Sequence, residues 1–157
     1  MRTKEKGMRK FTMVNHNFIK YDVTDITLPR RATKHSVGYD FYSPIDYYLA
    51  PGETKLIFTN VKAYFGEDEG LILAVTSGMG KKGVMLANGI GVIESDYADN
   101  ESNDGNLGFM LHNFGHSEYV IKKGDKIGQG FFIKYYTVDD EEEITTVRTG
   151  GFGSTNK

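Results

Sequence analysis

Nowhere in this chain does an amphipathic helix announce itself. Apolar residues do not recur at i, i+3, i+4 and i+7 over several turns; they come in short runs of strand length, many alternating with polar residues. Residues 71–75 (LILAV) make a continuous apolar run. Leu107, Phe109 and Leu111 alternate, as do Tyr119 and Ile121, and the pattern ends in residues 127–136. Leu56, Phe58, Val61, Ala63 and Phe65 alternate with one slip near Asn60, which a turn or bulge would absorb. Residues 18–21 and 23–28 read as extended stretches closed by Pro29, and 84–93 as another, interrupted by Asn88, Gly89 and Gly91. The helix candidates, 62–65 and within 139–143, are too short to persuade. Strands of this kind bury their apolar faces sheet against sheet, so the pattern predicts a mostly-β sandwich or barrel.

A length of 157 residues suits one domain with a proper core. The charged first stretch, 1–12, lacks periodicity and reads as a loose arm; 13–147 is the β domain, and the glycine-rich 148–157 a tail. The 19 Lys and Arg against 21 Asp and Glu leave a net charge of −2, which argues against a general nucleic-acid or membrane-surface binder. The absence of Cys excludes a disulfide framework, thiol catalysis and the usual structural zinc sites. No apolar run approaches the roughly 18 residues of a membrane span, and no apolar segment of a signal peptide follows the basic N-terminus. The expectation is a cytoplasmic protein.

Four local features could carry chemistry, and each also has a purely structural reading. In Ser36-Val37-Gly38-Tyr39-Asp40, the Asp beside a Gly is either a turn former or a carboxylate set by that turn. Thr76, Ser77 and Gly78 open a stretch of hydroxyls, glycines and lysines after the 71–75 run. It could present backbone N–H groups to phosphate or simply connect two strands, and it lacks Walker-loop spacing. Asn88-Gly89 is a hairpin dipeptide, and Glu94 follows the β-branched Val92 and Ile93, where alternation could aim a carboxylate into a cleft as a general base. In the tail, Phe152 stands among glycines between Arg148 and the hydroxyls of Ser154 and Thr155. A segment that closes over a ligand would use such a ring for stacking and the Arg for phosphate.

In this order the pieces resemble the five motifs of the trimeric dUTP diphosphatases (dUTPases). Residues 32–43 (ATKHSVGYDFYS) look like the first motif, 76–79 (TSGM) like a second lacking its Arg, and 89–97 (GIGVIESDY) like the third. Residues 123–129 (KGDKIGQ) look like the fourth, and 148–155 (RTGGFGST) like the fifth. The resemblance runs from about Pro29 to the C-terminus.

It implies a jelly-roll fold, a homotrimer with shared sites, and hydrolysis of dUTP to dUMP and pyrophosphate by water attack on the α-phosphorus. Magnesium (Mg2+) would span the phosphates. On this resemblance Glu94 is the base, and Asp40 holds the metal through water. Asn88, with the backbone of Gly91 and Val92, reads uracil, and Tyr97 packs under deoxyribose and excludes a 2′-hydroxyl. Thr76, Ser77, Gly78 and Gln129 contact phosphate, while Arg148, Phe152, Gly153, Ser154 and Thr155 belong to a tail, usually from a third chain, that closes over the nucleotide. Two departures stand out: the second motif has no Arg, for which Lys81 or Lys82 could substitute, and the third carries Glu94 where the family normally has Asp. They leave open a second reading, a dUTPase-like nucleotide-binding protein with weak hydrolysis that acts on a regulatory protein partner, touched through the polar loop 99–106.

Overall fold

The computed structural model describes residues 8–151 and residue 153. Eleven strands form nearly all of the regular structure. They are β1 Lys10–Met13, β2 Tyr39–Tyr42, β3 Tyr47–Leu49, β4 Thr54–Phe58, β5 Val61–Tyr64, β6 Glu69–Ala74, β7 Val84–Leu86, β8 Gly91–Glu94, β9 Gly108–Asn113, β10 Tyr119–Ile121 and β11 Lys126–Lys134. A four-stranded sheet in the order β2-β11-β6-β8 packs on a three-stranded sheet in the order β4-β9-β7, while β1 pairs with β5 and β10 with β3. Each of these pairings is antiparallel.

The alternation read in the sequence selects what is buried. Leu71 and Leu73 of β6 and Phe41 of β2 face Ile57 of β4 and Phe109 and Leu111 of β9, all at most 1% exposed. The Phe41 and Phe109 rings, centroids 5.2 Å apart, join the two sheets. This is the expected all-β, jelly-roll-like fold. Among the described residues, no helix is long and apolar enough to cross a membrane.

Several expectations are corrected. Residues 10–12, assigned to a loose arm, lie in β1, because Phe11 packs against Tyr39, Phe41 and Phe132 with ring centroids 5.2, 5.4 and 5.6 Å away. Burying such a ring is worth about 1.5–3 kcal/mol, enough to hold a short edge strand. Residues 18–28 are not strands. A 3-10 turn, His16–Phe18, precedes an irregular path in which Tyr21 and Asp22 have φ of 71° and 48°, incompatible with extended pairing. The Asn88-Gly89 turn is not a hairpin: Gly89 has φ of 80° and its N–H donates to Leu86 O, but β7 and β8 enter different sheets. Neither helix candidate forms. Among the described residues, the one short α-helix, α1 Ser77–Lys81, falls in the glycine-rich loop instead. The slip near Asn60 is a tight turn, with φ of 64°.

The polar loop 99–106 is folded inward, with Asn100, Asp104 and Asn106 buried. Lys62 of β5 reaches both of its acids, Nζ lying 2.7 Å from Asp99 Oδ1 and 2.8 Å from Asp104 Oδ2. Tyr64 donates to Asp99 (2.7 Å) and the Asn15 N–H to Asp104 (2.7 Å). Asn106 and Asn60 bond mutually: the Asn60 N–H donates to Asn106 Oδ1 (2.8 Å), and Asn106 Nδ2 to Asn60 Oδ1 (3.0 Å). Removing the cation leaves two nearly buried carboxylates uncompensated, so Lys62→Met is expected to lower the unfolding free energy by about 3 kcal/mol or more. Urea denaturation at neutral pH measures this.

Candidate functional site

The candidate residues gather in two separate clefts. Sheet register builds the first. Asp40 on β2 lies opposite Gln129 on β11, and Gln129 lies opposite Ala74 at the end of β6, so the chain leaving β6 passes this row as Val75, Thr76 and Ser77. Gln129 Nε2 donates to Val75 O (3.2 Å). Thr76 caps α1, its hydroxyl oxygen accepting from the Met79 N–H (3.3 Å), and Ser77 follows at the exposed first helical position. Asp40, Thr76, Ser77, Lys126 and Gln129 line the resulting cleft of about 390 Å³. Its cation is Lys126, whose Nζ lies 3.2 Å from Asp40 Oδ2. Lys81 and Lys82, expected to stand in for the absent Arg, do not line it, because α1 carries them onward. Gly78 lines neither cleft.

The second cleft, about 260 Å³, is lined by Asn88, Gly91, Val92, Glu94, Tyr97, Arg148, Gly151 and Gly153, among others. Strand β8 is the edge of its sheet and pairs only with β6, Glu94 opposite Gly70 and Gly91 opposite Leu73. After Glu94 a 3-10 turn, Ser95–Tyr97, turns the Tyr97 ring inward, leaving it 4% exposed. Its hydroxyl donates to Asn106 O (2.7 Å) and accepts from Asn103 Nδ2 (2.8 Å). Burial pushes the Tyr97 phenol up to about 12, so at neutral pH it stays a donor.

The described part of the tail reaches this cleft through Arg148, Gly151 and Gly153. Arg148 donates through Nε to Asp96 Oδ1 (2.9 Å), through Nη2 to Glu94 Oε2 (3.2 Å) and through Nη1 to Gly150 O (3.0 Å). Its side chain is 15% exposed, against 53% for Glu94 and 58% for Asp96. Gly151 lies so close to the Tyr97 ring that a Cβ there would collide with it, which is why the tail needs glycine at that point. Arg148 thus reaches carboxylates of its own chain, whereas the resemblance implied a tail from a neighbour. Phe152, Ser154 and Thr155 lie outside the described residues.

Glu94 and Arg148 are therefore brought together, with Asn88 and Tyr97. Asp40, Ser77 and Gln129 are brought together elsewhere, and the two clefts share no lining residue. Sequence reasoning missed Asp96, Lys126 and the pair Asn103 and Asn106. Asp96 and Lys126 stand inside the quoted third and fourth motifs. The two asparagines sit in a polar loop whose composition says nothing of burial. Among the described residues, no group of three or more metal-ligating side chains occurs.

Comparison with known proteins identifies the family. The model of the dUTPase family matches residues 24–156. A deoxyuridine 5'-triphosphate nucleotidohydrolase of Lactococcus lactis is 43% identical over 138 residues, covering 87% of this chain and 92% of its own length. The mouse protein of the same name is 34% identical over 136 residues, covering 83% and 79%. Among solved structures, the dUTPase of Streptococcus mutans superposes with a TM-score of 0.69 at 32% identity, over 82% of this chain and 98% of that one. A match running through both clefts and most of the β sandwich makes this chain a member of the dUTPase family.

Proposed function

We propose that this chain hydrolyses dUTP to dUMP and pyrophosphate, in a homotrimer whose active sites are completed between subunits. One observation carries the reading: a base candidate, a base-reading Asn, a sugar-sized aromatic and an Arg share one cleft, while the hydroxyls, amide and carboxylate suited to phosphate share another. Bringing the first cleft of one copy against the second cleft of another would assemble a complete triphosphate site. A triphosphate adds negative charge to a chain already at net −2, so it needs the local cations, Lys126 and Arg148, that the two clefts supply.

The chemistry follows from the residues. A water near the α-phosphorus gives its proton to Glu94 as its oxygen attacks, and the bridging oxygen departs with pyrophosphate. Arg148 is held by Glu94 and Asp96. Exposed ion pairs of this kind are worth only about 0–1 kcal/mol each, so phosphate oxygens, which fit a guanidinium fork, can draw Arg148 away. That transfer frees the Glu94 carboxylate to accept a proton. The extra methylene of Glu94 relative to Asp extends the reach of its carboxylate at an exposed edge. Asn88 offers both a donor and an acceptor to a uracil edge, and Tyr97 supplies a wall under the sugar.

The first cleft suits a phosphate-bound magnesium ion. Its single carboxylate, Asp40, beside Ser77 and Gln129 matches the ordinary habit of magnesium, which keeps waters and takes one or two carboxylates with substrate phosphates. Bound there, the ion would neutralise phosphate charge. Lys126 would share that task, as the cation already paired with Asp40.

Glu94→Gln should lower dUTP turnover by about 10²–10⁴-fold while calorimetry finds dUTP binding little changed; retained turnover would remove Glu94 from the base role. Subunit mixing tests the shared site. Glu94→Gln and Gln129→Ala proteins, each nearly inactive alone, should regain activity after being unfolded and refolded together, since mixed trimers contain sites with both intact halves. No recovery in trimers shown to be mixed would return both halves to one chain.

A further inference from the structure

We infer that Asn103, in the 99–106 loop, is a positioning residue that locks the Tyr97 ring and thereby sets how strongly ribonucleotides are rejected. The inference rests on the reading of Tyr97 as the wall beneath deoxyribose. Asn103 donates from Nδ2 to the Tyr97 hydroxyl (2.8 Å), and that hydroxyl donates onward to Asn106 O (2.7 Å), so the phenol is held from two sides. The Asn103 amide is itself fixed. Its Oδ1 accepts from Asn100 Nδ2 (2.7 Å) and from the Gly105 N–H (3.0 Å), and rotation would forfeit both. Asn100 Nδ2 also donates to the Tyr97 carbonyl (2.7 Å), tying the backbone of the residue being held to the loop that holds it. The loop cannot drift, because Lys62 grips Asp99 and Asp104 and Asn60 grips Asn106.

A wall that excludes one hydroxyl needs this. Apolar contact alone discriminates poorly against a group as small as an added hydroxyl, by about a hundredfold at best. A ring able to recoil by about an ångström would admit the 2′-oxygen, whereas a ring bonded at its far end turns that recoil into lost hydrogen bonds. Tyr97 also lines the second cleft beside Gly151, so a nucleotide bound there would meet a ring already tied to the loop.

The test compares kcat/KM for dUTP and for UTP in the full-length protein with magnesium. Asn103→Ala should leave kcat/KM for dUTP within about threefold and narrow the dUTP/UTP ratio by about five- to tenfold, the scale of one hydrogen bond. Tyr97→Phe, which removes the ring's bonds to both Asn103 and Asn106 and keeps those among the loop residues, should narrow the ratio at least as much, and adding Asn103→Ala to it should narrow it no further, because the bond that Asn103→Ala takes from the ring is already gone. A ratio unchanged in Asn103→Ala and Tyr97→Phe but collapsed in Tyr97→Ala overturns the inference and leaves the sugar-wall reading standing. A ratio unchanged in Tyr97→Ala overturns that reading and the inference with it. Effects that add in the double variant, or equal losses on dUTP and UTP, assign Asn103 a merely structural role and also overturn the inference.

Discussion

Two acidic side chains and one lysine, drawn together at the side of the sandwich, set the geometry on which the site depends. Lys62 lies on β5 with 10% of its side chain exposed, and its ammonium bridges Asp99 and Asp104 across more than thirty residues of chain. Burial works against that charge most strongly, but the hydrogen bonds to Asp104, Asp99 and Tyr64 outweigh it and hold the Lys62 ammonium well above the usual lysine range. A group raised in this way stabilises the fold fully below its ordinary value of about 10.4 and loses that contribution only as pH climbs through the folded value. At neutral pH the clamp is closed. A polar loop that composition would leave in water is thereby pulled onto the protein, where its asparagines meet Tyr97.

From Tyr97 the constraint passes to the chemistry. The ring is the surface on which Gly151 rests, and the tail that Gly151 belongs to carries Arg148 onto Glu94 and Asp96. The other half of the site owes its shape to pairing rather than to charge. The register of β11 between β2 and β6 aligns Asp40, Gln129 and the exit of β6, so hydroxyls, amide and carboxylate converge from residues nearly ninety positions apart. Antiparallel pairing thus does for the first cleft what the buried ion cluster does for the second. Neither half contains the other's reactive groups, and the proposed trimer, with sites between subunits, would bring the two together.

Much of this was legible in the sequence. The apolar run at 71–75 and the alternation of Leu107, Phe109 and Leu111 became the facing strands β6 and β9, because strand-period patterns specify which face is buried. The family resemblance was carried by Asp40, Glu94, Tyr97, Gln129 and Arg148, all of which line one of the two clefts. What stayed hidden depended on distant partners. Asn88-Gly89 has the chemistry of a hairpin turn, yet which sheet each flanking strand joins is decided by β6 and β9, far along the chain. Lys62 sits in an alternating strand as a solvent-facing lysine would, and only the folded loop opposite reveals it as buried. Phe11 could anchor an apparently loose arm because three aromatic rings from β2 and β11 converge on it.

The departures from the family pattern have physical counterparts. Where the second motif lacks its Arg, the cleft has Lys126 in its lining, a point charge rather than a planar fork. Where the third motif carries Glu94, the carboxylate stands at an exposed sheet edge beside an Arg that can leave it. The chain is expected to turn over dUTP with both substitutions in place. The measurement that tests it most directly is pyrophosphate release with magnesium from dUTP, run beside dCTP, dTTP and UTP. Rapid release from dUTP alone is the predicted result. Binding of dUTP without release would contradict the account and leave a nucleotide-binding protein in its place.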